Sequence, residues 1–183
     1  MEKVNTYLIK WYGPFKTRQL MKKWEESRSE KFNLYVFHAK PKAKKDRYYC
    51  GMTYERTVWK RMSDYNHHIH DFVNDKSISL QIWIGTIANK RASVRDVRIC
   101  ENIITSELAS ISVGEKYLEN RTNKKPPVND VYIFNEWLRD ENDYIMKRQR
   151  NSVPAIIPEA MVYYSEAKRL WGVNHLKEYG RLL

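Results

Sequence analysis

Residues 77–87, SISLQIWIGTI, set Ile78, Leu80, Ile82 and Ile84 against Ser79, Gln81, Trp83 and Gly85. Successive side chains leave a strand on opposite faces, so this alternation reads as a half-buried β-strand. A strand needs partners, and the preceding sequence offers two. KFNLYVFHAK is rich in β-branched and aromatic residues, and RYYCGMT follows it across the short basic turn region PKAKKD. The two read as an antiparallel hairpin. VNTYLIKWYG reads as a further strand that ends at Gly13-Pro14.

Helical spacing appears between these strands. TRQLMKKWEESRSE is amphipathic, with Leu20, Met21 and Trp24 on one side. TVWKRMSDY reads as a helix with Thr57 as N-cap, and Val58, Arg61, Met62 and Tyr65 share a face. VRDVRICENIITSELASI, residues 94–111, carries an apolar stripe of Val97, Ile104, Leu108 and Ile111, widened by Val94 and Cys100. Ser93 and Asp96 give it a capping-box-like start. Glu101 lies within the stripe. A carboxylate facing a core loses solvation unless something compensates it, so on this helix alone Glu101 reads as a stripe-edge residue that bends out to water. Further on, YLENRTNKKPPVND is a basic loop, and VYIFNEWL reads as a strand running into a helix. Pro158 suits the first turn of a last helix, PEAMVYYSEAKRLWG. Trp11, Trp24, Trp137 and Trp171 read as packing residues.

The expected architecture is one α/β (α+β) domain over residues 1–183. Its core, residues 32–125, is a three-stranded, mainly antiparallel sheet flanked by helices. Residues 1–31 form an N-terminal strand–helix extension and residues 126–183 a C-terminal one.

Lys and Arg number 33 against 22 Asp and Glu, a formal charge of +11, which points to a polyanionic partner such as nucleic acid. Cys50 and Cys100 are far apart and form no CxxC pair, which argues against structural zinc and against a disulfide-stapled secreted fold. The start, MEKVNTYLIKWYG, lacks the apolar stretch of a signal peptide, and no run reaches the length of a membrane span. The cytoplasm is the expected compartment.

NLYVF, then YYCGMT, then KRMSDY, then CENII, in the order strand, strand, helix, strand, helix, resembles the GIY-YIG nuclease superfamily. Asn33-Leu34-Tyr35 stands where the family has Gly-Ile-Tyr, and Tyr49-Cys50-Gly51 where it has Tyr-Ile-Gly. Thr53 fits the small residue that follows. Arg61 matches the helix arginine, Tyr65 a position with His or Tyr, and Glu101 the metal-binding glutamate. Asn120, or its neighbour Asn123, stands for the asparagine in the loop beyond.

The resemblance implies a Mg²⁺- or Mn²⁺-dependent DNA endonuclease of restriction type, acting on double-stranded DNA, as a homodimer if its site is palindromic. Tyr35 and Tyr49 are both odd-numbered on paired strands, so in a suitable register they point to one face. By family analogy Tyr35 is the general base or water-positioning group, and Tyr49 holds the water or the phosphate. Arg61 would bind phosphate as a fork, and Glu101 would hold the metal. Tyr65, or failing it His67 or His68, would assist proton transfer; His67, His68 and His70 otherwise read as a solvated or phosphate-contacting loop. Lys42, Lys44, Lys45 and Arg47, with Arg121, Lys124 and Lys125, would contact DNA phosphates. The competing reading is a basic nucleic-acid-binding protein with a degraded active site, in which the tyrosines are ordinary cross-strand aromatics and Arg61 pairs with Asp64 or Glu55.

Overall fold

The computed structural model describes residues 4–41, 46–64, 66, 67, 70, 78–111, 116–118, 127–138 and 157–173. Eight strands form one mixed sheet in the order β5-β3-β2-β4-β1-β6-β7-β8. They are β1 (Asn5–Phe15), β2 (Leu34–Pro41), β3 (Asp46–Met52), β4 (Ile78–Ile87), β5 (Lys116–Leu118), β6 (Val131–Leu138), β7 (Ala160–Tyr164) and β8 (Arg169–Val173). Three helices are delimited among the described residues: α1 (Arg18–Glu26), α2 (Val58–Met62) and α3 (Val94–Ile111). β1 with β6 and β3 with β5 run parallel; the other neighbours are antiparallel.

This corrects the three-stranded, helix-flanked core. The hairpin strands β2 and β3 and the alternating strand β4 do pair antiparallel, but the sheet continues without a break into both extensions. β1 lies against β4, and β6, β7 and β8 follow it. The reason is visible in β4. Its apolar set, Leu80, Ile82 and Ile84, faces one core, and Trp83 and Ile87 on the other side face a second. A strand covered on both faces needs hydrogen-bonding neighbours at both edges as well. β2 likewise buries six consecutive residues, Leu34 to Ala39.

The two faces carry different cores. On one, α3 lays Val97, Cys100, Ile103, Ile104 and Leu108 over Tyr7, Ile9, Trp11, Val36, Tyr48, Cys50 and Trp83. On the other, α1 and α2 contribute Met21, Val58 and Met62 to a core with Tyr12, Phe15, Phe32, Tyr35, Phe37 and Ile82. Trp137 bridges strands in the first core: it stacks on Trp11 at 5.3 Å and meets Trp83 edge-on at 5.0 Å. The Trp11 indole N–H donates to Asn135 at 2.8 Å, and the Asn135 amide donates to the Pro158 carbonyl at 2.9 Å, so the chain entering β7 is tied to β1.

Several local expectations change. β1 does not stop at Gly13-Pro14; it runs on to Phe15 through a bulge. Tyr12 pairs with Ile84 and Phe15 with Ile82, three residues on one strand against two on the other. The extra residue brings Phe15 back to the face of Tyr12, which strict alternation forbids. Gly13 at φ 142° supplies the backbone, and a Cβ there would meet the Ile82 carbonyl at 2.6 Å.

The expected last helix is instead the hairpin β7–β8, with its turn at residues 165–168. MVYY is β-favouring, and pairing with β6 outweighs the helical spacing. Asp130 pins the turn by accepting from the Ser165 amide at 2.6 Å and hydroxyl at 2.8 Å. Trp171 on β8 is 56% exposed, whereas Trp11 and Trp137 are buried packing residues as expected. Val94 is exposed and does not widen the α3 stripe. No helix among the described residues is long and apolar enough to cross a membrane.

The start of α3 is a reciprocal capping box. The Ser93 amide donates to Asp96 at 2.9 Å and the Asp96 amide to the Ser93 hydroxyl at 3.2 Å. Asp96 also accepts from the Tyr7 phenol at 2.9 Å and from Lys90 at 2.7 Å. Burial opposes its ionisation, but hydrogen bonds from Lys90, Ser93 and Tyr7 outweigh burial and hold the carboxyl well below its usual range. A depressed folded-state pKa contributes stability that is complete above the unfolded value, ~3.9, and lost as pH falls toward the folded one. Asp96→Ala is therefore expected to cost about 1–2 kcal/mol at pH 7 in urea unfolding. The gap from wild type should narrow below about pH 4. An equal gap at pH 7 and pH 2.5 would contradict this role.

Candidate active site

The site forms where β2 and β3 approach α2. Tyr35 pairs across the ladder with Gly51, and Phe37 with Tyr49, so odd residues of both strands share a face. Tyr35 and Tyr49 stack with ring centroids 6.0 Å apart, and Phe37 stacks beyond Tyr49 at 5.1 Å. The Tyr35 ring lies across Gly51. A Cβ on Gly51 would collide with the Tyr35 Cζ and hydroxyl and come within 2.7 Å of Cε2. Only a bare Cα lets the phenol cross β3 at this height.

His67 closes the other side. Its Nε2 lies 2.7 Å from the Tyr35 hydroxyl, and its ring sits 5.6 Å from Tyr35 and 5.4 Å from Tyr49. The imidazole is buried with them, 5% exposed, which corrects the solvated-loop reading for this histidine. His70 does not join it: it approaches Arg18 at 3.4 Å and the Asp64 carbonyl at 2.9 Å.

Arg61, on α2, donates from Nη1 to Asp64 at 2.6 Å, and Arg56 grips the same carboxylate with two N–H groups at 3.0 and 2.6 Å. The pairing with Asp64 is thus present, and it leaves most of the Arg61 donor fork available. The two guanidiniums hold the Asp64 carboxyl below its ordinary value, chiefly by these hydrogen bonds.

Glu101, on α3, is 4% exposed and does not bend out to water. It belongs to the opposite face, above Cys50, yet its charge acts on Tyr35, Tyr49 and Cys50. β5 pairs only with residues 46–48 of β3. Beyond Tyr48 the outer edge of β3 has no strand partner among the described residues, and α3 packs against β3. Glu101 acts on the phenols through its charge, from the other face of the sheet.

Burial drives the Tyr35 pKa well above that of a free phenol. The Tyr49 charge, its hydrogen bond with Tyr49 and the Glu101 charge add to the rise, and Arg61 opposes it. Burial also raises Tyr49, but there the hydrogen bond from Tyr35 lowers the value, Glu101 raises it and Arg61 lowers it. Burial leads for both phenols, and the charges of Arg61 and Glu101 act on them in opposite senses.

α1 holds α2 in place. Glu25, 6% exposed, accepts from the backbone N–H of Val58 at 2.7 Å and of Trp59 at 2.9 Å. Thr57 adds the expected N-cap, its side chain accepting from the Lys60 amide at 3.2 Å. At the far end Arg18 donates to the Ser63 hydroxyl at 3.0 Å, and its guanidinium lies 4.8 Å above the Trp59 ring. Sequence reading did not find Glu25 or Arg18, because helical spacing marks which face is apolar and not what a polar residue on it will meet.

The donor set bears on metals. Among the described residues no group of three or more His, Cys, Asp or Glu gathers that could hold an ion. Mg²⁺ or Mn²⁺ can be held by a single carboxylate, water and a substrate phosphate, and Glu101 would be the carboxylate to hold it.

Of the other expected site residues, Arg47 lies on β3, opposite Ala39. Tyr65, Asn120, Asn123, Lys42, Lys44, Lys45, Arg121, Lys124, Lys125 and His68 fall outside the described residues. No protein-family model matches the chain, and neither a curated protein nor a solved structure shows a significant likeness to it, so the reading of the site rests on its own geometry and on the motif resemblance.

Proposed function

We propose that the protein is a divalent-metal-dependent endonuclease of the GIY-YIG type that hydrolyses phosphodiester bonds in double-stranded DNA, with one active site per chain. The observation that carries this reading is the stacking of Tyr35 on Tyr49 at 6.0 Å across the bare Cα of Gly51, with His67 Nε2 2.7 Å from the Tyr35 hydroxyl; the charges of Arg61 and Glu101 act on both phenols. A degraded site has no reason to keep a stacked phenol pair over a bare glycine with a buried histidine bonded to one phenol.

In this mechanism Arg61 binds the scissile phosphate, and Asp64 holds its guanidinium in orientation. Tyr35 and Tyr49 position the attacking water. As the water oxygen bonds to phosphorus, the Tyr35 hydroxyl turns its proton from Tyr49 to His67 Nε2 and passes it there, while the Tyr35 oxygen takes the proton of the water. The bond from phosphorus to the 3′-oxygen breaks, and that oxygen takes a proton from solvent. The relay matters because a deeply buried phenol ionises poorly. Passing one proton on while receiving another avoids a standing phenolate. When bound at Glu101, Mg²⁺ or Mn²⁺ supplies positive charge that offsets the phosphate and the leaving oxygen.

A site-specific, restriction-type enzyme with a single site cuts one strand at a time, so a palindromic target calls for a homodimer or two successive nicks. The net charge of +11 favours DNA as the partner, and two buried free cysteines suit a reducing cytoplasm.

Single-turnover cleavage of plasmid DNA at saturating protein is the test. Tyr35→Phe is expected to slow cleavage by about 10²–10⁴-fold with DNA affinity nearly unchanged. His67→Gln, which removes the proton acceptor 2.7 Å from the Tyr35 hydroxyl, should slow cleavage as well, with DNA affinity nearly unchanged. A mild loss in Tyr35→Phe with the pH profile intact would remove the tyrosine from proton transfer.

Glu101→Gln keeps shape and removes charge. It is expected to abolish cleavage in Mg²⁺ and leave DNA binding intact; full cleavage would sink the metal assignment. Wild-type protein that binds DNA but never cleaves it, with either metal, would favour the binding-protein reading instead.

A further inference from the structure

A cleft opens at the end of the sheet where the active-site elements begin. It measures about 610 Å³ and is lined by Lys10 and Tyr12, by Lys31 and Asn33, by Tyr54, and by Lys90 and Arg91, among others. Lys10 and Tyr12 belong to β1, and the others come from three connections that lead into the site. Asn33 precedes β2, which carries Tyr35. Tyr54 lies between β3 and α2, which carry Tyr49 and Arg61. Lys90 and Arg91 lie between β4 and α3, which carries Glu101.

Register fixes the distance to the chemistry. Gly51 pairs with Tyr35, Tyr35 with Ile84, and Ile84 with Tyr12, so these four form one row across the sheet. Tyr12 lies two strands from Tyr35, about 10 Å at the usual strand spacing. That is about three base pairs along a duplex axis, at 3.4 Å each.

The charge in the cleft is unevenly committed. Lys90 pairs with Asp96 at 2.7 Å and sits 4.4 Å over the Tyr7 ring. Lys10, Lys31 and Arg91 form no ion pair among the described residues. Glu30 and Glu55, the chain neighbours of Lys31 and Tyr54, also line the cleft; the three cations outnumber them and leave the cleft net positive. Tyr54, 37% exposed, adds an aromatic face at the mouth.

We infer that the cleft of Lys10, Lys31, Arg91 and Tyr54 is a second DNA-binding subsite, which holds the phosphodiester backbone to one side of the cleaved bond. This rests on the nuclease reading and extends it. Three cations on three separate elements around an open cleft match a run of backbone phosphates better than one compact anion. Base-independent grip of this kind positions the duplex and leaves base reading to other parts of the protein.

The test uses full-length Glu101→Gln protein and a fluorescent duplex of about 20 base pairs, with affinity measured by anisotropy across salt concentration. Lys10→Ala/Lys31→Ala/Arg91→Ala is expected to lower affinity at least tenfold at low salt. It should also make the log–log salt slope shallower by up to about 2.7, at about 0.9 per lost phosphate contact. A control removing the same charge from exposed positions elsewhere, Lys16→Ala/Lys23→Ala/Arg169→Ala, should leave the slope nearly unchanged. Equal losses in both triple variants, or no loss in the cleft variant, would overturn the subsite. Cleavage by wild-type protein alongside that result would leave the nuclease reading standing. Absence of both binding and cleavage in the wild-type protein would overturn both. Circular dichroism of each variant shows whether a loss reflects unfolding.

Discussion

The Tyr35 ring crossing the bare Cα of Gly51 is the contact on which the site depends. It fixes more than one rotamer. With Tyr35 opposite Gly51, Tyr49 falls opposite Phe37, and the stack Tyr35, Tyr49, Phe37 follows from the ladder. Any side chain at position 51 would push the phenol off β3 and away from His67. The same glycine lies at the stretch of β3 that β5 does not cover, and the charge of Glu101 acts on both phenols from the other face.

The N-terminal segment has a structural task in this arrangement. α2 has five residues, too short to hold its own direction. Glu25 occupies its first two free N–H groups, and Arg18 holds Ser63 just past its end. Burial raises the Glu25 pKa, and the two backbone donors pull it back. A buried carboxylate costs desolvation unless it is well bonded, so α1 and α2 move together. The Arg61 guanidinium is positioned from residues 18–26 as much as from its own helix. What reads as an appendage in the sequence supports the site.

Much of the site was legible before the fold was known. Parity put Tyr35 and Tyr49 on one face, and Glu101 stood out as a carboxylate within an apolar stripe. Ser93 and Asp96 marked the start of α3. Each signal is local, with a period of two or a spacing of three or four. What was missed is non-local. His67 stood only as an alternative to Tyr65; its burial beside Tyr35 was not foreseen, because it follows a short helix in a polar stretch where no periodicity marks it. β7 and β8 carry helix-like spacing but pair with β6, which lies in a separate segment of the chain. The sheet's width was hidden for the same reason: an edge strand and a central strand have the same alternation, and only the partner decides. Trp83 and Gly85, on the apparently polar side of β4, were buried by α3 and Trp11.

The central claim is that Glu101 and the phenol pair form one metal-dependent centre. Anomalous diffraction from crystals soaked in Mn²⁺ tests it without relying on activity. The account expects a single strong peak bonded to the Glu101 carboxylate on the side facing Tyr35 and Tyr49, and no peak there in Glu101→Gln crystals. Saturating Mn²⁺ with no density at Glu101, or a peak that survives the Gln substitution, would contradict it.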